Sequence, residues 1–365
     1  QTNDQEEARH QNAQAQEVLR PTMKRFLSAL CLSCLLLTGL SACDSGGTQC
    51  STPLTRINMP GDEAPHDMLT EWWYTTGHLW TEEGRPYGYE LTIFQSWAGA
   101  QVGYVGHFAI IDPEGGEHHY SQQMTAPPER YDTYDLRVGD WRIHGDGQVD
   151  YFQANLPEAG LALSLTATPS KPVVFHNGDG LIDMGRNDSW YYTKTRLSLE
   201  GSLEVDGQAQ TVTGQGWLDH QWGDYAVFDC KGWDWFALQL DTGEEYMIFL
   251  LHDLDGTTRI TGVTRVDADG CQESLEEASV LALDEWTSPH TGATYPQNWQ
   301  LEIPEADLKL TLTVLVPDCE MDCRMTTLNA YWEGPVEFSG ERAGQAVSGR
   351  GFVELAGYGP WGLGT

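Results

Sequence analysis

The feature that most constrains this chain is a period of two. The runs YGYELTIFQ (87–95), YVGHFAII (104–111), VDYFQANL (149–156), LALSLTAT (161–168), WYYTKTRLSL (190–199), WDWFALQL (233–240), EYMIFLLH (245–252) and LKLTLTVLV (308–316) are rich in β-branched and aromatic residues. In an extended chain successive side chains leave opposite faces, so these runs read as strands. Turn-forming clusters separate them: PEGG at 113–116, HGDG at 144–147, EVDGQ at 204–208, LDTGEE at 240–245 and DADG at 267–270. Many short strands at hairpin spacing predict an all-β chain of antiparallel barrels or sandwiches. Helical signal is confined to 273–281. Each half supplies enough strands for its own barrel. The division is expected between 218 and 232, giving units 59–224 and 225–365.

The beginning of the chain reads differently. Residues 1–22 are polar, with almost nothing to bury, and are expected to be a non-native or untranslated leader, with Met23 as the true initiator. Met23-Lys24-Arg25 is a positive n-region, Phe26 to Leu37 a short apolar h-region, and Leu40-Ser41-Ala42-Cys43 a small-residue close. Residues 23–42 are therefore expected to be a secretion signal. LSAC resembles the lipobox of bacterial lipoproteins. That resemblance implies cleavage before Cys43, lipid attachment to Cys43, a tether over 43–58 and a body anchored at the cell envelope. In a cell with two membranes, the same resemblance would put Asp44 at the position associated with inner-membrane retention. The formal net charge of −34 belongs to the body, because residues 1–42 carry four acids and four bases. Such a surface repels phosphates and excludes a nucleic-acid partner. Cysteine usage fits an oxidising compartment, with Cys319–Cys323 and Cys230–Cys271 as the expected disulfides and Cys50 left over in the tether.

Three stretches stand apart from plain strand wall: HDMLTEWWYTTGHL at 66–79, GQGWLDHQWGD at 214–224 and GRGFVELAGY at 349–358. If 71–78 is one strand, Glu71, Trp73, Thr75 and Gly77 share a face, while Trp72, Tyr74, Thr76 and His78 share the other. Glu71 between aromatics is expected to be desolvated and its pKa raised. Trp73 and Tyr74 would contact a ligand, and His78 either joins them or caps the barrel. In the second stretch Asp219 is expected to accept from the imidazole of His220 or from a backbone amide. That would fix one tautomer and leave the other nitrogen for a water. Trp222, two residues on, would brace positive charge by about 1–2 kcal/mol in a desolvated site. Such a set suits protonation of an isolated C=C bond, a braced carbocation and capture by water, with Glu71, Asp219 and His220 as the catalytic groups. Glu354 either faces the pocket or pairs with Arg350 or Arg342.

Taken in order, the three stretches resemble the carotenoid 1,2-hydratase and AttH-like family over about 60–358. Its members carry EWWY-x-x-GH, DH-x-W-G and G-x-G-x-x-E-x-x-GY in this sequence. The resemblance implies two packed lipocalin-like barrels and an isoprenoid- or lipid-like ligand, with His220 and Trp222 matching the hydratase motif. The family's Tyr and Asp on a following strand have no clear counterpart, since EYMIFLLHD offers Tyr246 and Asp253 only at its ends. Two readings follow: a hydratase-like lyase or isomerase, and a non-catalytic lipid carrier that works with an envelope transporter. Both place the ligand in an oily pocket at the barrel junction, faced by His220 and Trp222. A metal-assisted hydrolase is a third reading. No cofactor is expected, and no metal, because no single stretch supplies enough ligands. H-E-x-x-H and G-x-S-x-G are both missing from the sequence.

Overall fold

A computed structural model of the chain describes residue 50 and residues 54–98, 101–125, 130–184, 187–225 and 230–362. The expected leader, the signal segment 23–42, Cys43 and most of the 43–58 tether lie outside the described residues.

Strands dominate, as the period of two predicts, and they form two antiparallel sheets. The first contains β1 (Thr70–Thr81), β2 (Pro86–Ala98), β3 (Gln101–Asp112), β4 (Glu117–Met124), β5 (Asp135–Val138) and β6 (Trp141–Gly145). It continues with β7 (Asp150–Leu156), β8 (Leu161–Pro169), β9 (Val174–Phe175), β10 (Leu181–Asp183), β11 (Asp188–Val205) and β12 (Gln208–Gly223). Its order is β4-β3-β2-β1-β12-β11-β8-β7-β6-β5, with β9 and β10 on β11. The far wing folds back over the near one, so that Phe108 of β3 meets Trp141 of β6 at 5.7 Å between ring centroids.

The second sheet contains β13 (Gly232–Leu240), β14 (Glu245–His252), β15 (Thr258–Val266), β16 (Gln272–Leu275) and β17 (Ser279–Thr287). Then follow β18 (Thr294–Ile303), β19 (Leu308–Val314), β20 (Glu320–Asp322), β21 (Asn329–Arg342) and β22 (Gln345–Trp361). Its order is β16-β15-β14-β13-β22-β21-β19-β18-β17, with β20 on β21. The helical signal at 273–281 is not realised. Val263 of β15 pairs with Leu275, and Leu281 of the exposed edge strand β17 pairs with Gln300, so tertiary pairing overrides local propensity.

Two apolar clusters result. One lies within the first sheet's fold and includes Trp73, Tyr89, Phe108, Trp141, Tyr192 and Trp222. The other fills the second sheet and runs across the junction, taking Tyr74, Ile111, Tyr191 and Trp217 from the first. One end of the junction is pinned by charge. Buried Glu245 of β14 accepts from Lys171 Nζ at 2.6 Å and from the Arg196 guanidinium, both on the first sheet's side.

The disulfide pairing differs from expectation. Cys50 is bonded to Cys271 across a sequence separation of 221, with 5.0 Å between their Cα atoms. Cys319 and Cys323 are buried thiols, and Cys230 lies buried outside the bond. The strand β20 stands between Cys319 and Cys323, and four extended steps span about 13 Å, well beyond disulfide reach.

Candidate functional site

The alternation that builds the sheets divides each motif between two places. Strand β1 lies between β2 and β12, with Glu71 opposite Trp222, Trp73 opposite His220 and Tyr74 opposite Asp219. Directly opposed residues share a face. Glu71, Trp73, His220 and Trp222 therefore point into the first sheet's own core, while Trp72, Tyr74, His78 and Asp219 point at the second sheet. The expected separation of Glu71 from His78 holds. The expected bond between Asp219 and His220 does not form, because neighbours on a strand diverge. The expectation that His220 and Trp222 look into the junction fails for the same reason: it is the odd-numbered face of β12 that does.

Inside the first sheet, Glu71 is the hub. Its Oε1 accepts from His220 Nε2 at 2.9 Å and from His66 Nδ1 at 2.7 Å, and its Oε2 accepts from the His66 backbone N–H at 2.8 Å. Burial pushes the Glu71 carboxyl up, but the hydrogen bonds from His220 and His66 outweigh it and hold it below its ordinary value, against the sequence expectation. Burial pushes His220 down to about 4, so the imidazole is neutral. His220 stacks on Trp73 at 4.5 Å and lies 4.6 Å from Trp222. Its Nδ1 and the hydroxyl of Tyr192 are buried without a hydrogen-bond partner among the described residues.

The junction gathers one residue from each motif, Tyr74, Asp219 and Glu354, together with two carboxyls that no motif marks. Tyr74 donates to Glu333 Oε1, and Thr92 donates to Glu90 Oε1. Glu90 Oε2 is buried and has no partner among the described residues. Asp219 accepts from Tyr191, from Thr193 at 2.6 Å and from the Trp217 indole at 2.7 Å, and Trp235 donates to the Tyr191 hydroxyl at 3.1 Å. His176 extends this chain to the second sheet, bonding Thr193 Oγ1 at 2.5 Å and Thr264 Oγ1 at 2.9 Å.

None of these carboxyls meets a cation among the described residues. Burial raises Glu333 well above the carboxylate range, and the charges of Glu90 and Glu354 add to it, while the bond from Tyr74 opposes them. Burial likewise raises Glu90. Burial lifts Asp219 to about 6, against the lowering by Thr193, Tyr191, Trp217 and Trp235. Burial lifts Glu354 to about 7, against the nearby Trp233 indole. The expected ion pair of Glu354 is not made, because Arg350 bonds Glu337 and Arg342 bonds Tyr246 and Glu244. His78 sits at the other end of the junction. Its Nε2 donates to Gly351 O at 2.9 Å, and burial lowers its pKa to about 4.

Trp72, Phe94, Trp233 and Glu354 are half-buried, so solvent reaches the junction at this end. Beside Trp233, whose partner on β22 is Ala356, a cavity of about 60 Å³ is lined by Lys231, His252, Ala356, Gly357 and Tyr358. It is room for waters rather than a lipid.

The model of the AttH-like family matches residues 51–358. Among solved structures, an AttH from Nitrosomonas europaea is 28% identical with a TM-score of 0.75, over 84% of this chain and 98% of that one. Kievitone hydratase from Nectria haematococca is 21% identical with a TM-score of 0.70, over 84% of this chain and 94% of that one. CghA with Sch210972 is 10% identical with a TM-score of 0.53, over 84% of this chain and 94% of that one, and like the hydratase it shares the fold. No match was found among the curated proteins. With the matched segment spanning most of the chain, the protein belongs to the AttH-like family.

Proposed function

We propose that this protein holds an apolar, unsaturated ligand at the half-open end of the junction and adds a proton to an isolated C=C bond there. The observation that carries this reading is a set of carboxyls, Glu90, Glu333 and Asp219 buried and Glu354 half-buried, whose partners among the described residues are hydroxyls and indoles rather than cations. A carboxyl kept neutral by an apolar wall is a general acid at neutral pH. Glu354, the one among them that solvent reaches, delivers the proton to one alkene carbon. The cation left on the other carbon is braced by the rings of Trp72, Trp233 and Trp235, worth about 1–2 kcal/mol in a desolvated site. Water then forms the C–O bond and returns its proton to the Glu354 carboxylate; loss of a carbon-bound proton instead would isomerise the alkene. The hydratase among the similar folds supports this class of reaction. Ligand entry displaces the half-buried Trp72 and Trp233 side chains. The N-terminal lipid on Cys43 and envelope location belong to the same proposal, because they would bring the cleft to a membrane that supplies such ligands.

The half-buried Trp72 and Trp233 also favour a carrier that opens on its ligand without turning it over. Both readings are tested by extracting the protein from its native membrane, identifying bound lipids by mass spectrometry and incubating them in heavy water. Deuterium in the carbon skeleton, lost in Glu354→Gln, supports the enzyme. A ligand recovered unlabelled, with affinity that Trp233→Ala weakens, leaves carriage alone. An empty protein that binds no unsaturated lipid refutes both.

A further inference from the structure

The cluster of His66, Glu71 and His220 lies on the face of the first sheet that turns away from the junction, and the proposed function does not use it. We propose that these three side chains bind a divalent transition-metal ion of the zinc class. His66 Nδ1, Glu71 Oε1 and His220 Nε2 all lie within 4.8 Å of one another. Two imidazoles and one carboxylate are a donor set that zinc and ferrous ions take, with positions left for water or substrate. The three ligands come from a loop, from β1 and from β12, and Trp73 opposite His220 fixes that register. Glu71 and His220 are fully buried, whereas the His66 side chain is 21% exposed and gives the ion a way in.

The surroundings fit an ion as well as the ligands do. His66 is held flat on Trp222, with centroids 4.2 Å apart and 4° between the planes. Its backbone carbonyl accepts from Gln95 Nε2 at 3.0 Å. Its outer nitrogen Nε2 faces Asp62 Oδ1 at 3.8 Å, the carboxylate-behind-histidine arrangement that orients metal ligands. Without an ion, two imidazole N–H groups crowd onto a single oxygen, Glu71 Oε1. An ion removes that crowding with no net proton release. The proton of His66 moves to Nε2 beside Asp62, and that of His220 moves to Nδ1, which has no partner among the described residues.

The test uses the full chain, stripped with a chelator and titrated with cobalt(II), which reports coordination through visible d–d bands, and then with zinc, followed by native mass spectrometry. One equivalent of ion with a cobalt band is expected. His66→Ala, a loop change that leaves the sheet intact, is expected to weaken binding at least a hundredfold, and Asp62→Asn about tenfold. Glu71→Gln should erase the band. Absence of any band or retained zinc in the wild type would overturn the proposal. So would undiminished binding by His66→Ala, which would place the ion elsewhere on this acidic chain.

Discussion

Replacing Glu354 by Gln should make the protein more stable at neutral pH and leave it unchanged in acid. The folded chain holds the Glu354 proton up to about pH 7, whereas the unfolded chain releases it near the ordinary value of 4.5. Below pH 4.5 both states are protonated and the group contributes nothing. Above it, the unfolded state sheds a proton that the folded state keeps, so wild-type stability falls as pH rises, and the loss levels off beyond about pH 7. At about 1.4 kcal/mol per pH unit the full loss is about 3 kcal/mol. Glutamine keeps the shape and cannot titrate. Urea unfolding of both proteins from pH 4.5 to 8 should therefore give curves that coincide in acid and separate by up to about 3 kcal/mol at pH 8, with the variant the more stable. A separation independent of pH, or a variant that loses stability on the alkaline side, would refute the claim that Glu354 is half-buried without a cation.

Other consequences follow from particular contacts. Glu245→Ala leaves Lys171 and Arg196 facing one another without their shared carboxylate and should cost about 3–5 kcal/mol, read as a lowered urea midpoint. Gly77→Ala should cost at least about 1–3 kcal/mol in the same assay, because a Cβ there would sit 2.6 Å from the Gln215 carbonyl oxygen, which is backbone and cannot yield. Peptide mapping without reduction should recover a fragment linking Cys50 to Cys271. Cys271→Ser should destabilise by about 2–4 kcal/mol, and a Cys319–Cys323 link in the map would contradict the fold.

The strands and their faces were legible because side-chain alternation needs no tertiary information. Glu71 and His78 were separated correctly on that ground alone. The same rule, applied to Asp219 and His220, forbids their bond, because the chain stays extended within β12. Glu90 and Glu333 were invisible because a carboxyl in a strand such as YGYELTIFQ or NAYWEGPVEF reads as the solvent side. Only the packing of the second sheet buries that side. His66 lay in a loop, where no periodicity says what it faces, and its meeting with Glu71 and His220 depends on how that loop closes the sheet. The Cys50–Cys271 bond joins positions too distant for spacing to reveal, whereas the nearby C-x3-C pair was misread because an intervening strand holds the two apart.

The central claim is that the junction between the sheets stores neutral carboxylic acids. Carbon-13 resonances of glutamate side chains, labelled in the full chain and assigned through Glu333→Gln and Glu354→Gln, report ionisation directly. At pH 6 both carboxyl carbons should resonate as protonated acids, with Glu354 shifting to carboxylate at about pH 7 and Glu333 only well above the carboxylate range. Both carbons already ionised at pH 6 would contradict the account.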